Sequence, residues 1–226
     1  MDNLFMSYMS SRYEKTQPNF ESGPVITISR EFGCSGGTLA KKLAAAIKQR
    51  HAKEEWRVIS NEVLEESAKE LNVKPEGIAH IFGAEAKNMI GDLVFSFATK
   101  QYTSDAKIKK TIHDVVQSFA SQGHCIIVGR AGCVIAQDFS KSLHIRLIAP
   151  IDWRVERVKT RMEIPLQAAK ELVEDNDVRR TTFMTYFKGN LPDSKLYDVV
   201  YNCAKLSAEQ IVENIIHLLV SKGIIK

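Results

Sequence analysis

No stretch of this 226-residue chain approaches the ~20 consecutive apolar residues that a bilayer-spanning helix needs. The opening, MDNLFMSYMSSRYEKTQPNFES, also lacks a basic start followed by an apolar stretch, so neither a membrane span nor a secretory leader is expected, and the cytoplasm is the expected compartment. The four cysteines, Cys34, Cys125, Cys133 and Cys203, contain no CxxC spacing. Three adjoin or lie in apolar strand-like segments and read as reduced structural thiols, while Cys34 stands apart in a loop. None of the six histidines lies at ligand spacing from another His, Cys or carboxylate, which argues against a histidine metal centre. His144 alternates with apolar residues in a strand pattern and reads as structural. Long basic blocks are missing too: 31 Lys and Arg are interleaved with 27 Asp and Glu, a net charge of +4 that suits phosphate ligands as well as nucleic acid. There is no internal repeat and no low-complexity tract.

What is present can bury a core. Hydrophobic residues make up 44% of the chain, enough for one domain over 23–226 after an amino-terminal arm, 1–22, with no clear period. VITIS, 25–29, is short and β-branched, as a strand buried in a parallel sheet is, and TLAKKLAAAIKQR, 38–50, sets Leu39, Leu43 and Ile47 on one helical face. WRVIS, 56–60, predicts a second strand, and NEVLEESAKEL, 61–71, a helix capped by Ser60 or Asn61. From 75 to 122 the pattern is mostly helical, broken near Gly83 and around 103–105, and reads as a helical insertion. HCIIVGR, 124–130, and SLHIRLIAP, 142–150, predict parallel core strands, with Pro150 in the first turn of the next helix. IDWRVERVKTRM, 151–162, and the stretch from Pro165 to 187 predict helices separated at Glu163 and Ile164. YDVVYN, 197–202, predicts the last strand. SAEQ, 207–210, is a capping box opening a helix with Ile211, Ile215 and Leu218 on its apolar face. Strands alternating with helices predict an α/β fold, a parallel sheet covered by helices on both faces, with ligands beyond the carboxyl ends of the strands.

At the first of those ends, REFGCSGGT, 30–38, supplies three glycines and two hydroxyls between strand and helix. In such a loop the backbone curls so that its amides face a polyphosphate and the helix adds its positive end. The lysine of a Gly-Lys-Ser/Thr motif is missing, and Gly36 and Gly37 stand where it and its neighbour would be. A turn that merely connects strand to helix is the plain alternative. Two features favour a phosphate cradle formed by Gly33, Cys34, Ser35, Gly36, Gly37 and Thr38. Arg30, at the mouth of the strand with Glu31, can lie over a phosphate in place of the absent ammonium. Thr38 or Ser35 can reach a magnesium ion.

Phosphoryl transfer depends on positioning and cations more than on covalent chemistry, so the arginines are the residues to locate. Arg154, Arg157 and Arg161 recur at i, i+3 and i+7, either one functional helical face or a solvated basic one. Asp177 and Arg180 lie one turn apart, and an ion pair worth only ~0.3 kcal/mol explains them equally well. Arg130 can bind a phosphate through two parallel hydrogen bonds or reach solvent. Ser60, at the end of the second strand, can cap a helix.

Taken together, VITISREFGCSGG, IIVGRAG, WRVERVKTR, DNDVRRTTFMTYF and YDVVYN resemble the cytidylate kinase-like family, a branch of the P-loop nucleoside monophosphate kinases, over about residues 24–222. The first and fourth stretches carry most of the resemblance. It implies a three-layer P-loop kinase fold with a parallel sheet flanked by helices, a helical acceptor-binding insertion within about 60–122 and a lid around 159–190. It also implies ATP as phosphoryl donor with Mg²⁺, arginines of the 151–162 helix clamping the ATP phosphates, and Asp177 with Arg180 facing the monophosphate and the moving group. The chain departs from the family at Ser60, where relatives often carry Asp, and at Val128 and Ala131, which flank Gly129-Arg130 where cytidylate kinases tend to carry acidic residues. The expected function is phosphoryl transfer from ATP to a small acceptor, first a nucleoside monophosphate such as CMP. Arg30, Arg157, Arg161 and Arg180 are then catalytic, residues 33–38 hold the donor, Thr38 also faces the metal, and Ser60, Arg130 and Asp177 bind the acceptor. Two other classes stay open. One is a catalytically degenerate nucleotide-binding protein that senses or scaffolds, because the loop lysine and the acidic flanks are gone. The other, weaker, is a nucleic-acid binder using the basic helices, recognisable by steep salt dependence.

Overall fold

A computed structural model describes residues 23–51, 55–75 and 105–226. Within them the expected alternation is realised: β1 (Val25–Arg30), α1 (Gly36–His51), β2 (Arg57–Ile59), α2 (Glu62–Glu70), α3 (Asp105–Gln122), β3 (Cys125–Val128), α4 (Gly132–Ile135), β4 (Ser142–Ile148), α5 (Ile151–Met162), α6 (Leu166–Lys188), β5 (Val199–Asn202) and α7 (Ala208–Ser221). The strands form one sheet, parallel throughout, in the order β2-β3-β1-β4-β5. Ile26 of β1 lies opposite Ile126 and Leu143, and Ile28 opposite Val128 and Ile145, so like side chains share a face across three strands.

That alternation splits β1 between two cores. Ile26 and Ile28 pack with Leu39, Leu43 and Ile47 of α1 and with Ile211, Ile215 and Leu219 of α7. Val25 packs on the other face with Val63 of α2 and Ile112 and Val116 of α3. Each such side chain, fully withdrawn from water, contributes about 1.5–3 kcal/mol, which is why short strands suffice. A third, smaller cluster joins Val155 and Val158 of α5 to Ala169 and Val173 of α6, with Phe32 from the loop after β1 against it. The chain passes from β1 to β2 and β3 on one side and only then to β4 and β5 on the other. The strand order therefore reverses at β1, and a crevice opens beyond its carboxyl end.

The expected break at Glu163 and Ile164 is real: Glu163 takes a left-handed φ of +55° and ends α5. So is the capping box, with Ser207 Oγ accepting from Gln210 N at 3.2 Å and Gln210 Oε1 accepting from Ser207 N at 2.9 Å. Three boundaries differ. α1 begins at Gly36, two residues before Thr38, so both glycines of the loop's second half belong to the first helical turn. Pro150 precedes α5 with ψ +143° as its N-cap, the extended angle keeping it outside the first turn. Asn61 stands at the N-cap of α2 without a capping side-chain bond; Glu62 reaches back instead and accepts from Ser60 N at 2.6 Å. The expected arm, 1–22, and the break near Gly83 lie outside the described residues. Among the described residues no helix is long and apolar enough to cross a membrane.

Candidate active site

Beyond Arg30 the chain turns back with Cys34 N donating to Glu31 O at 3.3 Å, and Leu39 N takes up the helical ladder on Ser35 O at 3.1 Å. Among the described residues, the amides of Ser35, Gly36, Gly37 and Thr38 make no hydrogen bond. They are the unsatisfied donors of a helix start, gathered where the helix is positive, which is the arrangement that takes an anion. The curl depends on Gly33, whose φ of +95° suits glycine and whose missing Cβ would lie 3.0 Å from the Cβ of Arg154. Thr38 is exposed at this first turn.

Arg30 falls on the α1 side of the sheet because it continues the alternation of Ile26 and Ile28. Its stem lies along Gly36, where a Cβ would meet Cγ and Cδ at 3.3 Å. Its guanidinium lies over Gly129, where a Cβ would meet Nη1 at 1.9 Å. The side chain thus spans from the amide cradle to the turn after β3.

The three arginines of α5 separate. Arg157 Nη2 and Arg161 Nη1 both stand 3.4 Å from Ser35 Oγ, exposed at the loop's outer rim. Arg154, one turn nearer the sheet, is buried: Nε donates to Ala149 O at 2.9 Å, Nη1 to Phe32 O at 3.3 Å, and its ion partners are Glu31 and Asp177. Asp177 also accepts from Phe32 N at 2.8 Å, and Glu31 from Ala149 N at 3.0 Å. Helical spacing places the arginines on one face, but two carboxylates from distant parts of the chain draw Arg154 inward. The result is a clamp that fastens α5 and α6 to the loop.

Beside the loop lies a cavity of about 310 Å³ lined by Arg30, Ser60, Gly129, Arg130, Asp177 and Arg180, with Phe32, Leu64, Phe183 and Met184 as its apolar wall. Its floor is strained. Gly129, Arg130 and Ala131 take φ values of +75°, +55° and +53° in succession, which for the two non-glycine residues costs roughly 1–2 kcal/mol each. The turn brings Arg130 Nε to Ser60 O at 3.3 Å. Arg180 Nη1 is 3.5 Å from Arg30 O, with its guanidinium 5.1 Å from the Phe32 ring. Burial lowers the Arg180 pKa, yet a guanidinium starts high enough to remain a cation. Arg146 and Lys188 also line the cavity and both pair with Asp193, at 3.7 and 2.6 Å; neither was expected from the sequence. An arginine alternating with apolar residues in SLHIRLI was the available signal. One end of the cavity therefore gathers arginines, and the adjacent loop gathers amides and two more.

The profile of the cytidylate kinase-like family matches residues 25–205. The chain is 23% identical over 198 residues to the cytidylate kinase of Haloarcula marismortui, covering 87% of this chain and 90% of that protein. In structure it is similar to an uncharacterized protein from Eubacterium ventriosum, with a TM-score of 0.62 and 23% identity over 88% of this chain and 98% of the other. It is also similar to the shikimate kinase of Bacteroides thetaiotaomicron, with a TM-score of 0.50 and 12% identity over 87% of this chain and 98% of the other. These likenesses, with the strand order, show the three-layer α/β fold of the P-loop kinases.

Proposed function

The chain belongs to the cytidylate kinase-like family, and on that premise we propose that it transfers the γ-phosphoryl group of ATP to a small phosphorylated acceptor, a nucleoside monophosphate such as CMP first among them. The observation that carries this reading is the course of Arg30, which joins the amide cradle at Gly36 to the cavity at Gly129. A group moving from a donor on the cradle to an acceptor in the cavity passes this guanidinium.

In this mechanism the amides of Ser35 to Thr38 and the α1 terminus hold the donor phosphates, and Arg157 and Arg161, already at the Ser35 hydroxyl, close over them. Arg130 and Arg180 grip the acceptor's phosphate from the floor and from α6, and Ser60, at the cavity edge, helps to seat it. Arg30 takes the charge that spreads over the transferred oxygens, the task of the lysine this loop lacks. Asp177 acts through position: tied to Phe32 N and Arg154, it sets α6, and with it Arg180, against the loop. The lid is the end of α5 together with α6, around 159–190, and the acceptor-binding insertion lies within about 60–122. A magnesium ion would be held by the exposed Thr38 hydroxyl, or by that of Ser35. When bound, such an ion neutralises phosphate charge.

The test is ADP formation from ATP and Mg²⁺ across a panel of nucleoside monophosphates. One of them should raise the rate at least about tenfold over ATP alone. ATP binding with no acceleration by any monophosphate would overturn transfer and favour the second reading, nucleotide binding without catalysis, to which the absent loop lysine points.

A further inference from the structure

Two cations of the cavity wall have no part in the transfer chemistry. Arg146 interrupts the apolar run of β4, on the face of the sheet opposite Ile145 and Leu147 and in register with Ser29. A guanidinium carries five donors in a fixed fork. Among the described residues this one finds a single hydrogen bond, to Tyr197 Oη at 3.2 Å, and a single carboxylate in ion-pair range, Asp193 at 3.7 Å. That carboxylate is already engaged, because Lys188 Nζ donates to Asp193 Oδ1 at 2.6 Å. Arg146 and Lys188 are 30% and 20% exposed and Asp193 48%, so both cations lie deeper than the carboxylate they share. The other carboxylates of the wall are committed elsewhere: Glu31 and Asp177 both serve Arg154. The turn after β3 adds none, since Val128 and Ala131 flank Gly129-Arg130. Two withdrawn cations around one rim carboxylate leave a positive charge whose burial is costly until an anion meets it.

Their place along the cavity separates them from the phosphate grip. Asp177, Arg180, Met184 and Lys188 recur on one face of α6. From Arg180 to Lys188 the helix runs about 12 Å at roughly 1.5 Å per residue. Arg180 turns to Arg30 O and Lys188 to Asp193, while Phe183 and Met184 stand between them on α6 and give the cavity an apolar wall for a sugar or a base. We propose that Arg146 and Lys188 form a second anion subsite, and that the acceptor is a nucleoside monophosphate bearing a further phosphate or carboxylate on its sugar or base. The inference rests on the reading above that this cavity seats the acceptor. Arg130 and Arg180 hold the phosphate that receives the transferred group. Arg146 meets the second anion through parallel hydrogen bonds of its planar fork, and Lys188 adds a compact charge. Asp193, exposed at the rim on the turn Asp193–Lys195, yields both cations to the ligand and turns to solvent.

The experiment measures nucleotide binding to the full chain by titration calorimetry, with CMP, UMP, cytidine 3′,5′-bisphosphate and orotidine 5′-monophosphate as probes. A doubly anionic probe should bind at least about tenfold more tightly than its plain counterpart: the bisphosphate over CMP if the second group belongs on the sugar, the orotidine nucleotide over UMP if it belongs on the base. Arg146→Gln and Lys188→Gln should each cut that ratio at least about threefold. Lys188, in the last turn of α6, lies outside the sheet, so its variant carries the test if Arg146→Gln does not fold. A purely structural role would weaken plain and doubly anionic nucleotides alike. An unchanged ratio in both variants therefore overturns the proposal, and so does equal binding of each pair by the parent. A tight, Lys188-dependent doubly anionic probe that does not accelerate ADP formation leaves the subsite standing and removes transfer. No binding of any of the four nucleotides strikes the acceptor reading first and the subsite with it.

Discussion

Replacing Gly129 by alanine displaces Arg30 without altering it. A Cβ at position 129 would lie 1.9 Å from Arg30 Nη1 and 3.1 Å from Cζ, so the guanidinium has to retreat by roughly 1.5 Å to reach ordinary contact distance. Hydrogen bonds from arginine to phosphate hold at about 2.7–2.9 Å, and a shift of that size breaks them. Loss of one such donor in a phosphoryl-transfer or oxyanion site costs about 2.7–4 kcal/mol, or roughly 10²–10³ in turnover. The methyl group also inherits a φ of +75°, at about 1–2 kcal/mol, which lowers the melting temperature of a chain this long by roughly 2–8 °C. The assay is coupled ADP formation at saturating monophosphate, with a melting curve to show that the fold persists. Arg30→Ala should lose turnover by a similar factor. In that background Gly129→Ala has nothing left to strike and should cost little more, giving a coupling of at least about 2 kcal/mol. Turnover of Gly129→Ala within about threefold of the parent, or additive losses in the double variant, would refute the reasoning.

Asp177→Ala leaves Arg154, 6% exposed, with Glu31 at 3.4 Å as its remaining carboxylate and deprives Phe32 N of its acceptor. Because Asp177 is itself 28% exposed, the expected loss in urea-unfolding free energy is about 2 kcal/mol rather than the full buried-pair value, and a loss under about 0.5 kcal/mol would mean that the clamp does not hold. His144 supplies a pH signature. Burial, with Lys222, lowers its pKa against the pull of Asp198, and Thr27 Oγ1 stands 2.8 Å from its Nδ1. The unfolded chain then binds the extra proton first, so stability is full above about pH 6.5 and declines as pH falls through that value. Urea midpoints from pH 7.5 to 5.5 should show this decline in the parent and a flatter curve in His144→Gln; a flat parent curve refutes it.

The elements were legible where a local pattern fixes them. Leu39, Leu43 and Ile47 declare one face of α1, and Ser207 with Gln210 declares the start of α7, because both signals live within a few residues. The start of α1 was not, since Gly36 and Gly37 read as loop. The Arg30 stem against Gly36, a tertiary contact, leaves no mark in the local pattern. The same limit governs the site. Spacing grouped Arg154 with Arg157 and Arg161, but only the fold brings Glu31 and Asp177 to it and leaves the other two at Ser35. Arg130 announced itself as a charge closing an apolar strand. Arg146 carried a similar mark in mid-strand, while Lys188 carried none, and its partner Asp193 follows across a turn.

The strand order has a consequence for how the chain is made. β1 finds its first neighbours in β3 and β4, with Val25 opposite Cys125, and β2 pairs with β3 alone among the described strands. A ribosome adding about 5–20 residues per second leaves β1 without a ladder for roughly 5–20 s while the next hundred residues emerge. During that interval α1, with Trp56 and Val58 at β2, is the described part of their core cluster available to cover Ile26 and Ile28, so this part of the nascent chain holds apolar surface that the finished sheet later buries.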